Sequence, residues 1–133
     1  MRSFFDTSAI APLIFKEPHS DAARAAWKAS SVRLGWQWLR VEAEAALTRR
    51  SASLEAWNLW RRIESAIEWV EPHTDWHGHL RSFNRSLGLR AADAGHLYVM
   101  ERCLESVPDL ALVTFDQEMA KAAASRGLGL WQA

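Results

Sequence analysis

Two short apolar runs each end abruptly at an aspartate. Arg2-Ser3-Phe4-Phe5 stops at Asp6 and Leu110–Phe115 stops at Asp116, and a helix-like segment begins immediately after each acid. A short apolar run that hands over to a helix reads as a buried strand, and its repetition along a chain implies parallel βαβ units. The spacing predicts further strands at Val32–Trp36, Trp69–Glu71 and Leu128–Trp131. Helices are predicted over Ser8–Glu17, Ser20–Ser30, Trp38–Arg50, Leu54–Ile67, Ala92–Glu105 and Gln117–Arg126, while Pro72 to Gly88 reads as a polar connecting stretch. The expected fold class is α/β, a three-layer α/β/α sandwich with a central parallel sheet, built as one domain over residues 1–133.

Composition narrows the class. Of 133 residues, 49% are apolar and 24% charged, a globular balance, and no segment reaches the ~18 uninterrupted apolar residues of a membrane span. Met1-Arg2 runs directly into the first strand without the apolar region of a secretory signal, so a cytoplasmic location with no membrane association is expected. Cys103 is the single cysteine, which excludes an internal disulfide and a multi-cysteine zinc site. Sixteen basic residues balance sixteen acidic ones, so no global field attracts nucleic acid. The basic set is 13 Arg to 3 Lys, however, and the guanidinium fork suits phosphate.

Four carboxylates stand out by position. Asp6 and Asp116 fall at the C-terminal ends of strands, the edge at which open α/β sheets hold ligands; each could equally be a helix N-cap. Asp93 shares a helix face with Leu97, Met100 and Leu104, and Glu42 lies between Leu39, Ala45 and Ala46, so both are expected to point inward. Glu44, on the opposite face with Arg40 as its i−4 neighbour, reads as a solvated surface ion pair. Inward acids need a cation or a hydrogen-bond network, and several acids around one pocket call for a divalent ion. Hard oxygen ligands select Mg²⁺ or Mn²⁺, whose chemistry suits phosphodiester hydrolysis.

The segments that carry these acids resemble a known family. Phe5-Asp6-Thr7-Ser8-Ala9-Ile10, Arg40-Val41-Glu42, Leu89-Arg90-Ala91-Ala92-Asp93-Ala94-Gly95-His96-Leu97 and Val113-Thr114-Phe115-Asp116 are similar, in order, to the acidic motifs of PIN domains, especially VapC toxins. The resemblance spans nearly the whole chain. It implies an α/β/α sandwich, one or two Mg²⁺ or Mn²⁺ ions, and endonucleolytic cleavage of RNA, transfer RNA being one substrate of such toxins. Asp6, Glu42, Asp93 and Asp116 would hold metal as the catalytic quartet, with Thr7, Ser8 and Thr114 in support. In-line attack of a metal-activated water would leave a 5′-phosphate and a 3′-hydroxyl. A homodimer and a cognate antitoxin are also implied.

The chain departs from the family pattern in two places. Gly35-Trp36-Gln37-Trp38 stands where a Ser or Thr cap usually precedes the Glu42 helix. Gly95 replaces a larger residue at a cost of ~1 kcal/mol in a helix interior, which points to a close contact there. His96 reads as a partly buried helix residue, and His73, His77 and His79 as solvated loop residues rather than a zinc site. Among eight tryptophans some must be exposed or at an interface, and Trp57 and Trp60 are expected either in the core or lining a groove for an antitoxin or a second subunit. Arg49-Arg50, Arg61-Arg62 and Arg81/Arg85/Arg90 are either phosphate ligands or ordinary surface charge.

Three other readings are weighed. A degenerate PIN domain that binds RNA or protein without cutting would lack an acid, and none is lacking. A dehalogenase-type phosphotransferase needs a second Asp where Ser8 stands, and a receiver domain needs an acidic neighbour that Asp6 does not have.

Overall fold

A computed structural model of the chain describes residues 1–132. Five strands form one sheet: β1 (Arg2–Phe5), β2 (Val32–Trp36), β3 (Glu68–Val70), β4 (Ala111–Val113) and β5 (Gly129–Leu130). Seven helices connect them: α1 (Thr7–Ile14), α2 (Ser20–Ala29), α3 (Trp38–Arg49), α4 (Leu54–Ser65), α5 (Trp76–Leu87), α6 (Ala91–Cys103) and α7 (Gln117–Ser125). The strand order is β3-β2-β1-β4-β5 and every pairing is parallel.

Alternation along the two central strands produces the layers. Phe4 and Leu112 pack against α6 and α7, with Leu97, Val99, Met100 and Met119, while Phe5 and Val113 face Ile10, Leu39, Leu47 and Trp60 of α1, α3 and α4. Neighbouring residues on a strand point to opposite faces, so each run of two bulky residues serves both cores. All of these side chains are fully removed from solvent. The result is a three-layer α/β/α sandwich, with α1–α4 on one face and α5–α7 on the other.

The order also fixes where a ligand can enter. From β1 the chain moves outward through β2 and β3 on one side, then returns to place β4 and β5 on the other. The crevice between the C-terminal ends of β1 and β4 is therefore the topological switch point, the position at which open parallel sheets hold ligands.

One element differs from the sequence expectation. The stretch read as a polar connection contains α5, whose Trp76, Leu80, Phe83 and Leu87 recur at helical spacing and pack against the core, and whose C-terminus is Gly88 in the left-handed conformation, φ 66°. Thus His77 and His79 are helical, and only His73 lies in the connection. No helix among the described residues is long and apolar enough to cross a membrane.

Candidate active site at the switch point

Asp6 leaves β1 at the switch point and is 2% exposed. Its backbone occupies the N-cap position of α1, yet its carboxylate accepts no capping bond. Instead, Ser8 Oγ donates to Oδ1 at 2.7 Å and Thr114 Oγ1 donates to Oδ2 at 2.9 Å. Ser8 is fixed in turn, because its Oγ accepts from the Phe115 backbone N–H at 2.9 Å. Burial pushes the Asp6 carboxyl up to about 6, as does the charge of Asp93, against the opposing pull of His96 and the two hydroxyls.

Asp116 stands beyond β4 as the N-cap of α7, its Oδ1 accepting from the Met119 backbone N–H at 3.1 Å. Here the capping reading holds, and it leaves the second oxygen without a hydrogen bond among the described residues. Asp93, in the first turn of α6, is partly exposed, and the open-surface Arg90 lies 3.7 Å from it. Burial and the neighbouring charge of Asp116 raise its carboxyl, Glu42 adds to this, and Arg90 and His96 oppose it.

Glu42, on α3, is bound from two sides. Thr7 Oγ1 donates to its Oε1 at 2.7 Å, and His96 Nε2 lies 2.6 Å from the same oxygen. Burial alone would raise the carboxyl, but His96 and Thr7 outweigh it and hold Glu42 below the ordinary range. His96 is 1% exposed and its Nδ1 has no partner among the described residues. A nitrogen facing a carboxylate keeps its proton, so Nε2 is the protonated nitrogen. His96 is thus more than the partly buried helix residue that the sequence suggests. The missed signal was its register: three residues after Asp93 on one helix, it comes round to the same face.

The structure thus brings Asp6, Glu42, Asp93 and Asp116 to one end of the sheet, near enough that Asp93 feels both Asp116 and Glu42 and Asp6 feels Asp93. Thr7, Ser8 and Thr114 orient two of them. Among the described residues, however, no three His, Cys, Asp or Glu side chains already stand together as a metal-holding group.

Both departures from the family pattern converge beside this site. α3 starts without a side-chain cap; the Gln37 backbone N–H donates to the Val70 carbonyl at 3.0 Å instead. Trp36 lies against Gly95, where a Cβ would collide with the indole ring, and meets the His96 ring edge-on at a centroid distance of 5.2 Å.

One surface expectation is corrected, and the tryptophans and His73 fall within theirs. Glu44 does not pair with Arg40: it accepts from Trp60 Nε1 at 3.0 Å, while Arg40 pairs with Glu64 at 2.8 Å and covers the face of Trp69. The cause is geometry, since Arg40 turns toward α4 and stacks rather than following its own helix. Trp60 is fully buried and lines no groove, and Trp57 packs partly buried against the same core. His73 is anchored by its Nε2 at 3.1 Å from the Tyr98 hydroxyl.

A parallel sheet in this order with acids at its switch point defines an α/β domain of the PIN class. Residues 3–125 match the PIN domain family, and the chain belongs to it. Among solved structures it is similar to VapC20 of Mycobacterium tuberculosis, a sarcin-ricin loop cleaving toxin, with TM-score 0.77 and 17% identity, covering 98% of this chain and 99% of that one. It is also similar to PAE2754 of Pyrobaculum aerophilum, with TM-score 0.62 and 21% identity, covering 91% and 85%. No curated protein matches the chain.

Proposed function

We propose that this protein is a divalent-metal-dependent endoribonuclease of the VapC toxin type, restrained by a cognate antitoxin. The observation that carries the reading is the convergence of four acids from four separate segments, two of them with carboxyls raised by burial and mutual repulsion. Structural ion networks normally pair acids with bases, whereas among the described residues Asp6 and Asp116 have no basic partner at ion-pair distance. The likeness to VapC20, itself a loop-cleaving toxin, supports the same reading.

The donor set fits Mg²⁺ or Mn²⁺. All four side chains offer the hard oxygens that these ions prefer, and Mg²⁺ needs few protein ligands because it keeps waters and borrows others from substrate phosphates. Asp6, Glu42, Asp93 and Asp116 would hold it. When bound, the ion would lower the pKa of water and stabilise charge developing on the phosphate. The chain's own residues do the rest. Ser8 and Thr114 hold Asp6 in one orientation, Thr7 and His96 keep Glu42 ionised, and Asp116, oriented by its cap bond, keeps its second oxygen without a hydrogen bond among the described residues. Cleavage would yield a 5′-phosphate and a 3′-hydroxyl.

The proposal includes a homodimer and an antitoxin segment that occludes the acids. A second reading, a PIN domain that binds RNA or protein without cutting, is favoured by the absence of a ready chelating trio among the described residues. One experiment separates the two. Wild type and Asp93→Asn are expressed in the same host, and RNA ends are sequenced with particular attention to transfer RNA and the sarcin-ricin loop. In vitro the digest is repeated with and without chelator. New 5′-phosphate ends that require intact Asp93 and free Mg²⁺ or Mn²⁺ are expected. Identical RNA profiles for the two proteins would overturn the nuclease reading.

A further inference from the structure

Beside the acids the surface turns aromatic. A groove of about 830 Å³ opens between the start of α3 and α5, with Val41 and Ala92 on its rim. Those two residues directly precede Glu42 and Asp93, so whatever lies in the groove adjoins the candidate active site. Its floor is Trp36, seated on Gly95. Its walls are Trp38, 47% exposed, and the Trp76–His77 pair, stacked with ring centroids 3.9 Å and planes 28° apart. Leu80 and Ala91 then lead into a second depression of about 320 Å³ lined by Arg81 and Arg85. Positions 77, 81 and 85 recur at four-residue spacing, so rings and guanidinium groups share one flank of α5. Among the described residues neither Arg81 nor Arg85 pairs with a carboxylate.

We propose that this strip is the substrate subsite next to the scissile phosphate: unpaired nucleobases of a single-stranded RNA segment stack on Trp38 and on the Trp76–His77 pair, and the following phosphates lie against Arg81 and Arg85. The inference rests on the RNA-cleaving reading. It also answers a difficulty in that reading, because a protein of zero formal net charge has no global field to draw in a polyanion. Affinity must then come from nearby, and stacking platforms followed by free cations are how proteins grip single strands. A protein helix is the poorer occupant. It seats separate side chains in apolar pits and leaves two unpaired guanidinium groups unused, whereas open ring faces followed by cations match alternating bases and phosphates. Duplex RNA is excluded by the same geometry, since its bases are not free to stack on a side chain.

The test uses the whole protein and exposed positions, where substitution does not endanger the fold. Binding of a fluorescein-labelled single-stranded RNA 12-mer is measured by anisotropy in chelator, and cleavage of the same RNA is measured with Mg²⁺ or Mn²⁺. Trp38→Ala is expected to weaken binding and raise KM about 5- to 100-fold, with Trp38→Phe recovering most of the loss. Arg81→Ala with Arg85→Ala should reduce the slope of log affinity against log salt by about 1.4. A fully paired duplex of the same sequence should not distinguish Trp38→Ala from wild type. If wild type cuts RNA and these variants bind and cut as wild type does, the subsite is refuted and the nuclease reading stands. If wild type cuts nothing but binds the 12-mer in a Trp38-dependent way, the nuclease reading fails and the strip is an RNA-binding surface, not a substrate subsite. A changed oligomeric state in light scattering with unchanged RNA affinity makes the groove a protein interface and overturns the proposal.

Discussion

His96 Nε2 lies 2.6 Å from Glu42 Oε1, so a buried ring on α6 fixes the ionised state of an acid on α3. Replacing it with Leu fills similar space but leaves Glu42 with Thr7 as its one donor. The Glu42 carboxyl should then rise, since burial no longer meets the opposing charge. Because the native value is depressed, the bond stabilises the fold above the ordinary carboxylate value of 4.5 and that contribution disappears as pH falls through the lower native value. Wild type should therefore be more stable than His96→Leu near neutrality, with the gap closing as pH falls below 4.5 and through the lowered native value. Thermal melts across pH check this, and a constant gap would refute the assignment. His96→Gln, which keeps an N–H donor, should recover part of the difference.

Asp6 predicts the opposite sign. Its carboxyl is raised from 3.8 to about 6, so the native protein binds more protons than the unfolded chain between those values, and stability falls as pH rises through them. Without divalent ions, Asp6→Asn should be more stable than wild type at pH 7 to 8 by up to about 3 kcal/mol. The advantage should shrink below pH 6 and be gone below pH 4. Adding Mg²⁺ or Mn²⁺ should raise the wild-type Tm and leave the variant nearly unmoved, because the ion binds the folded state through the carboxylate. Equal shifts in both proteins would remove Asp6 from the ion's site.

Much of this arrangement is legible in the sequence because strand ends and helix faces are local properties. Phe4-Phe5 before Asp6 and Leu112-Val113 before Asp116 announce two central strands and their ligand-bearing edge. The register of Asp93 with Leu97 and Met100 turns it toward the interior. Other features depend on distant partners and are not written locally. In α5 the stripe Trp76, Leu80, Phe83 and Leu87 is diluted by Gly78, Ser82, Asn84 and Ser86, residues equally at home in a loop. Arg40 has a plausible partner one helical turn away in Glu44 yet bonds Glu64 on another helix. His96 shows its role only once Glu42, 54 positions earlier, is brought against it.

Gly95 is held small by Trp36. A methyl group there would run into the indole ring, and the ring could shift only by breaking its edge-on packing with His96 and Trp76. Ala in place of Gly ordinarily stabilises a helix by about 1 kcal/mol. Overpacking costs about 1–3 kcal/mol, so Gly95→Ala should lower stability despite its better helix propensity. The displaced indole should also disturb the His96–Glu42 bond. Gly95→Ala is thus expected to melt a few degrees lower and to cleave RNA more slowly. Trp36→Leu added to Gly95→Ala should restore stability relative to Gly95→Ala alone, because the steric conflict is gone.

Asp116 carries two roles that substitution can separate. Its Oδ1 caps α7 through Met119 N–H, and its charge raises the Asp93 carboxyl. Asn caps a helix about as well as Asp, whereas Ala loses the cap at a cost of about 1 kcal/mol. Asp116→Asn should therefore melt close to wild type, lower the Asp93 carboxyl by removing a neighbouring negative charge, and lose RNA cleavage by roughly 100-fold or more if the carboxylate helps hold the ion. Asp116→Ala should lose the same activity and in addition about 1 kcal/mol of stability. Unfolding curves for the three proteins, set beside their cleavage rates at saturating Mg²⁺, test the separation. If Asp116→Asn cleaves RNA at the wild-type rate, Asp116 is a helix cap and nothing more, and the acidic site contracts to Asp6, Glu42 and Asp93.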